Sequence, residues 1–228
     1  MAAGGADAIR TGRDQWHCAT AGQAEWRDVV ASSIRLAPEQ FMEALLTSTL
    51  LVAVAEIGDK TQLLAIVLAT RFRKTLPIIL GILAATLANH ALAAFAGQLA
   101  AEFFAGQWFR IAVATSFIAM GLWTLVPDKL DDDAAPRAHG GVFLTTLVAF
   151  FLVEMGDKTQ LATVALGARF DNLAGVVAGT TLGMMIANVP AVLLGNALVQ
   201  RISMRAVRIV AALSFVVVGV WMMAEALG

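Results

Sequence analysis

The sequence contains the same charged motif twice, each time inside a long apolar run. It reads EIGDKTQ at residues 56–62 and EMGDKTQ at residues 154–160. A shift of 98 positions superimposes these two copies and the surrounding halves of the chain without a gap. The same shift pairs further residues: Arg71-Phe72 with Arg169-Phe170, Gly81 with Gly179, Gly121 with Gly219 and Trp123 with Trp221. This self-similarity indicates an internal duplication, so the fold must be built from two related units.

Six apolar runs are long enough to cross a bilayer, which takes about 20 helical residues. They lie at about 43–69, 76–97, 108–126, 142–167, 173–197 and 206–226. Hydrophobic residues make up 59% of the chain and charged residues only 14%, a balance that is atypical of a soluble protein. We therefore predict an all-α membrane protein with six transmembrane helices in contact with the lipid bilayer.

Each half of the duplication holds three predicted spans. Because three is odd, the second half must enter the membrane from the side opposite to the first. The sequence thus predicts two inverted three-helix repeats, at 43–126 and 142–228, joined by an acidic loop at 127–141. A polar tail at 1–42 precedes them, and we expect it to be mobile, with Met42 as an alternative start. Inverted repeats are common in transporters, whose substrate site lies near the bilayer midplane where the repeats meet.

The basic residues near the predicted spans are unevenly shared between the two sides of the membrane. One side has Arg71, Arg73, Lys74, Lys129, Arg137, Arg201, Arg205 and Arg208, and the other has Arg27, Arg35, Arg110 and Arg169. Since cytoplasmic loops carry the excess of Lys and Arg, both termini are predicted outside and the acidic loop in the cytoplasm.

The motif places ionisable groups where they are costly. Glu56, Asp59 and Lys60 lie within the first predicted span, where a central charge costs about 2.5–3.5 kcal/mol on insertion scales. On a continuous helix, residues spaced i, i+3 and i+4 project from one face, and the second copy repeats this spacing. We therefore expect two ionic faces that meet in the interior of the protein.

The carboxylates of the two motifs are candidate ligands for a metal ion. They are Glu56, Asp59, Glu154 and Asp157, and with the two motif lysines they sum to two negative charges, which one divalent cation neutralises. Carboxylate oxygen suits hard cations such as Ca²⁺, Mg²⁺ and Mn²⁺. Secondary ligands or pathway residues are predicted at Lys60, Thr61, Gln62, Lys158, Thr159, Gln160, His90 and Asn188. The only cysteine, Cys18, excludes a thiolate metal site within one chain.

A site of buried carboxylates binds a cation and protons in competition, since a carboxyl group must lose its proton to become a ligand. That competition is sufficient for antiport when the site opens to one side at a time. Two other classes remain open: a membrane enzyme that uses a carboxylate-bound metal, and a structural protein whose Asp-Lys pairs only hold helices together. We expect no enzymatic activity, no cofactor besides the transported ion and no nucleic-acid partner, because no basic stripe is present. A homo-oligomer is also left open.

Two copies of Glu-x-Gly-Asp-Lys-Thr in a small six-span protein resemble the cation/proton exchanger family of Golgi manganese and calcium transporters and small bacterial manganese exporters. The stretches TLANH and GMMIANVPAVLLG are similar to the second and fifth helices of that family, and the resemblance covers about 43–226. It implies export of Mn²⁺ from the cytoplasm across a cell inner membrane in exchange for protons, with Ca²⁺/H⁺ exchange as the alternative. It also implies that the acids of both motifs form the binding site.

Overall fold

The computed structural model describes residues 38–104, 106–126, 140–195 and 204–228. Most of the predicted tail and of the acidic loop lie outside these ranges. Within them the chain is entirely helical, as predicted, and contains eight helices. They are α1 Pro38–Glu56, α2 Lys60–Phe72, α3 Thr75–Phe103, α4 Gln107–Thr124, α5 Val142–Glu154, α6 Lys158–Arg169, α7 Leu173–Leu194 and α8 Met204–Leu227.

Three helices of the described part are each long and apolar enough to cross a membrane: α3, α7 and α8. The pair α1 and α2 passes the same test together, but the two axes differ by 69°, so this pair is a broken span or a re-entrant loop. Helix α5 is a shorter apolar helix of 13 residues. The architecture is that of a multi-pass membrane protein.

The prediction of continuous helices through both motifs is wrong. The run at 43–69 breaks between α1 and α2, and the run at 142–167 breaks between α5 and α6. Each break contains a glycine in a left-handed conformation, with φ of +82° at Gly58 and +81° at Gly156, which other residues rarely adopt. The acids of one motif therefore do not share one face of a single helix.

Hydrogen bonds within the motif close each break. The Asp59 amide donates to the Glu56 carbonyl at 3.1 Å, and the Gly58 amide donates to the Gln62 side-chain oxygen at 2.9 Å. The second break repeats both bonds at the positions 98 residues later, with distances of 3.0 and 2.6 Å. The glutamine of the motif thus satisfies a backbone amide that the break leaves without a helical partner.

The packing of glycines also follows the 98-residue register. A side chain on Gly121 of α4 would lie 2.9 Å from the Ala212 carbonyl of α8, and one on Gly219 of α8 would lie 3.0 Å from the Ala114 carbonyl of α4. Gly121 and Gly219 are equivalent in the 98-residue register, and so are the two alanines that they contact, Ala212 and Ala114. The duplication is therefore present in the tertiary contacts as well as in the sequence.

Gly97 marks the closest crossing of α3 and α6, because a Cβ atom there would overlap the backbone carbonyl of Val164. We expect Gly97→Val to lower the free energy of unfolding by about 3 kcal/mol, the upper end for overpacking, since a backbone carbonyl cannot rotate away. Thermal unfolding in detergent measures the loss. The neighbouring Ala96 is exposed, so Ala96→Val is the matched control and should unfold at the wild-type temperature. Equal unfolding temperatures for both variants would contradict this packing.

Candidate cation site

The two helix breaks bring three of the four predicted acids together. Glu56, Glu154 and Asp157 each offer a carboxylate oxygen, and these oxygens all lie within 4.8 Å of one another. All three side chains are buried. We call these residues the acid cluster. It combines the ends of α1 and α5 with the residue that precedes α6, so it exists only because both helices break at the motif.

The fourth predicted acid, Asp59, is buried but does not belong to the acid cluster. Its carboxylate lies 3.8 Å from the ammonium nitrogen of Lys158, while the carboxylate of Asp157 lies 2.8 Å from that of Lys60. Each aspartate therefore faces the lysine of the other repeat. These two ion pairs are related by the 98-residue shift and join the two breaks across the interior.

The motif threonines both bind Glu56. The Thr61 hydroxyl donates to one carboxylate oxygen of Glu56 at 2.5 Å, and the Thr159 hydroxyl of the second repeat donates to the other. Neither oxygen of Glu154 has a hydrogen-bond partner within the described ranges. The acid cluster is therefore asymmetric, although the sequence that forms it is repeated.

The motif glutamines connect the breaks to the long helices. The side-chain amide of Gln62 donates to the Ala187 carbonyl of α7 at 3.0 Å, and that of Gln160 donates to the side-chain oxygen of Asn89 of α3. Ala187 and Asn89 are equivalent in the 98-residue register. Asn89 is the sequence neighbour of His90, and this contact places it beside the second break.

His90 and Asn188 occupy equivalent positions of α3 and α7 and are both fully buried. The Nε2 atom of His90 lies 3.9 Å from a carboxylate oxygen of Glu154, which places the imidazole next to the acid cluster. The side-chain amide of Asn188 instead donates to the Met184 carbonyl at 3.1 Å, one helical turn earlier.

Electrostatics make the acid cluster suited to a cation. Three buried carboxylates and the half-buried ammonium group of Lys60 leave two net negative charges when all are ionised. Such charges are costly unless they are paired, protonated or bound to a metal. Two oxygens bound to one hard cation lie at most about 4–5 Å apart, given bonds of about 2.0–2.6 Å, and the 4.8 Å limit on the distances in the acid cluster is compatible with this.

Comparison with known proteins identifies relatives that share most of the chain. The family model described as "Divalent cation/proton antiporter GDT1" matches residues 44–132 and 142–228, which include both motifs. A Vibrio cholerae protein named "Putative manganese exporter" is 47% identical over 175 residues, covering 76% of this chain and 87% of that protein. A GDT1-like protein of Synechocystis is 30% identical over 195 residues, covering 76% of this chain and 93% of its own length.

A plant relative shows the same breadth of match. GDT1-like protein 5 of Arabidopsis thaliana is 30% identical over 204 residues, covering 73% of this chain and 89% of that protein. No solved structure matches the chain. The family resemblance predicted from the duplicated motif is confirmed, and the chain belongs to the GDT1 family of divalent cation/proton antiporters.

Proposed function

We propose that this protein exports Mn²⁺ from the cytoplasm in exchange for protons and that the acid cluster is the shared binding site. The observation that carries the proposal is the convergence of three buried carboxylates from both repeats within 4.8 Å. The name of the Vibrio cholerae relative supports Mn²⁺ as the exported ion. Asp59 and Lys158 form a second ion pair beside the acid cluster.

Exchange follows from competition for the same oxygens. Two protons or one divalent cation each neutralise the net charge of the acid cluster with Lys60, so either cargo makes the buried site electrically balanced. Cation binding requires deprotonated carboxylates and therefore releases protons. When the loaded site opens to one side and the protonated site to the other, export of the cation is coupled to proton entry.

The proposed topology has six membrane crossings arranged as two inverted repeats, at 43–126 and 142–228. The broken pairs α1–α2 and α5–α6 each count as one crossing, with the break at the cargo site, as in other transporters with discontinuous helices. The reciprocal glycine contacts and ion pairs support two equivalent units. The distribution of Lys and Arg supports termini outside the inner membrane and the 127–141 loop in the cytoplasm.

Proton movement in reconstituted vesicles tests this function. Purified protein is placed in liposomes that contain a trapped pH indicator, and Mn²⁺ is added outside. We expect Mn²⁺ entry and a proton flux in the opposite direction, both absent from protein-free liposomes. Mn²⁺ entry without a coupled proton flux, or no flux of either ion, would contradict proton-coupled exchange.

A further inference from the structure

The side chains of His90 and Glu154 form a buried pair whose polar atoms are unusually poorly satisfied. Both are fully buried, and Nε2 of His90 lies 3.9 Å from a carboxylate oxygen of Glu154. Neither ring nitrogen of His90 and neither oxygen of Glu154 has a hydrogen-bond partner in the part of the chain that the structure describes. An unsatisfied buried polar group costs about 1–3 kcal/mol, so a ligand bound between these two side chains would remove part of this cost.

The repeat shows that this arrangement occurs at one end of the acid cluster alone. In the other half, Asn188 replaces the histidine, and its side chain donates to the backbone of its own helix. In the equivalent glutamate, Glu56, each carboxylate oxygen accepts a hydrogen bond from one threonine hydroxyl. The two repeats can therefore be compared with each other. The imidazole of His90 is the group near Glu154 that has no counterpart in the other repeat.

We propose that His90 contributes a nitrogen ligand to the transported cation and thereby selects a first-row transition-metal dication such as Mn²⁺ over Ca²⁺. The inference rests on the proposed function, because it concerns the same cargo site. Ca²⁺ takes oxygen ligands, whereas imidazole nitrogen is a common ligand of transition metals. A site that has carboxylate oxygens alone would lack this means of discrimination.

The geometry is compatible with one ion between His90 and Glu154, while the His90 nitrogens lie outside the set of oxygens that are all within 4.8 Å of one another. Bonds from a transition metal to nitrogen or oxygen are about 2.1 Å long, so two ligands of one ion lie at most about 4.2 Å apart. The observed 3.9 Å between Nε2 and the Glu154 oxygen falls within this limit. Helix α3 runs without a break from Thr75 to Phe103, and the neighbouring Asn89 is bound by Gln160 at the second break. The imidazole is therefore held by a continuous helix that is fixed to the site.

Transport selectivity provides the first test. His90→Asn copies the residue found at position 188, and His90→Gln is a second variant of different length. Loss of an outer-shell partner costs about 10–100-fold in metal affinity, so loss of a direct ligand should raise the half-saturating Mn²⁺ concentration at least about tenfold. We expect the value for Ca²⁺ to change less than about threefold. Equal changes for both ions, or no change, would overturn the assignment of His90.

Thr181→Val serves as the control for removing a buried polar group of α7. The Thr181 hydroxyl also has no hydrogen-bond partner among the described residues, and it lies about 10 Å along the helix from Asn188. This variant should keep the Mn²⁺ and Ca²⁺ values of the wild type. A selectivity change as large as that of His90→Asn would attribute the effect to packing and overturn the proposal.

Electron paramagnetic resonance of bound Mn²⁺ provides a readout that does not depend on transport, and the wild-type spectrum alone can refute the assignment. We expect ¹⁴N modulation from a directly bonded imidazole in the wild-type protein and its loss in His90→Gln. Wild-type protein that exchanges Mn²⁺ for protons without this signal would refute the role of His90 and leave the proposed function intact. Absence of any Mn²⁺-coupled proton flux would instead refute the proposed function.

Discussion

Glu154→Gln is expected to reduce Mn²⁺-driven proton exchange at least about 100-fold while the protein remains folded. The substitution keeps the shape of the side chain but removes its negative charge and its ability to exchange a proton. Because the carboxylate of Glu154 is fully buried and has no hydrogen bonds within the described ranges, its structural contribution is small compared with its proposed role as a ligand. The initial rate of proton movement in liposomes measures the effect.

The matched control is Glu225→Gln, the same chemical change outside the acid cluster. Glu225 lies near the end of α8, its side chain is 45% exposed, and it pairs with Arg169. Exposed ion pairs contribute about 0–1 kcal/mol, so this variant should exchange Mn²⁺ at nearly the wild-type rate. Comparable rates for Glu154→Gln and Glu225→Gln would show that the cluster does not bind the cargo.

Exchanging the charges of Lys60 and Asp157 is expected to separate folding from transport. Each single variant, Lys60→Asp or Asp157→Lys, places like charges at the 2.8 Å contact and should lower the unfolding temperature. The double variant restores an opposite pair, and we expect it to regain about 1–3 kcal/mol of the lost stability through coupling between the two positions. Its transport should stay below about 1% of wild type, because an ammonium group replaces a carboxylate of the acid cluster.

This double variant also tests whether the Asp-Lys pairs only hold the helices of the transporter together and do not bind the cargo. A pair that only holds helices together does so with either charge at either position. In that case, transport should return together with stability. The measurements are thermal unfolding in detergent and Mn²⁺ flux in liposomes on the same preparations. Recovery of both quantities would contradict a ligand role for Asp157.

The sequence predicted the duplication and the acids, and a glycine between the acids of each motif allows a helix to loosen there, but the spacing did not predict the left-handed break. A single glycine inside an apolar run of 27 residues is a weak signal for a break, because helices tolerate isolated glycines at a cost of about 1 kcal/mol. The left-handed conformation of Gly58 is accompanied by a hydrogen bond from its amide to the side-chain oxygen of Gln62, and α2 then continues at an angle to α1. Those contacts depend on tertiary structure. The prediction that the charged residues of one motif share one face of a single helix, made from their spacing, was therefore wrong.

The contacts between the repeats were also beyond the reach of the sequence. The pattern favoured four equivalent acids, whereas Asp59 faces Lys158 and the other three acids converge. That the Thr159 hydroxyl binds Glu56 of the other repeat depends on how the two breaks meet. The difference between His90 and Asn188 was visible in the sequence, but its meaning depends on the distance to Glu154.

The location of bound Mn²⁺ by anomalous X-ray scattering tests the central claim most directly. In crystals of the exchanging protein, we predict one anomalous peak among the carboxylates of Glu56, Glu154 and Asp157, at about 2.0–2.4 Å from their oxygens. The peak should disappear in Glu154→Gln crystals grown under the same conditions. A single Mn²⁺ bound elsewhere in the wild-type protein, or no bound ion at saturating Mn²⁺, would contradict the account.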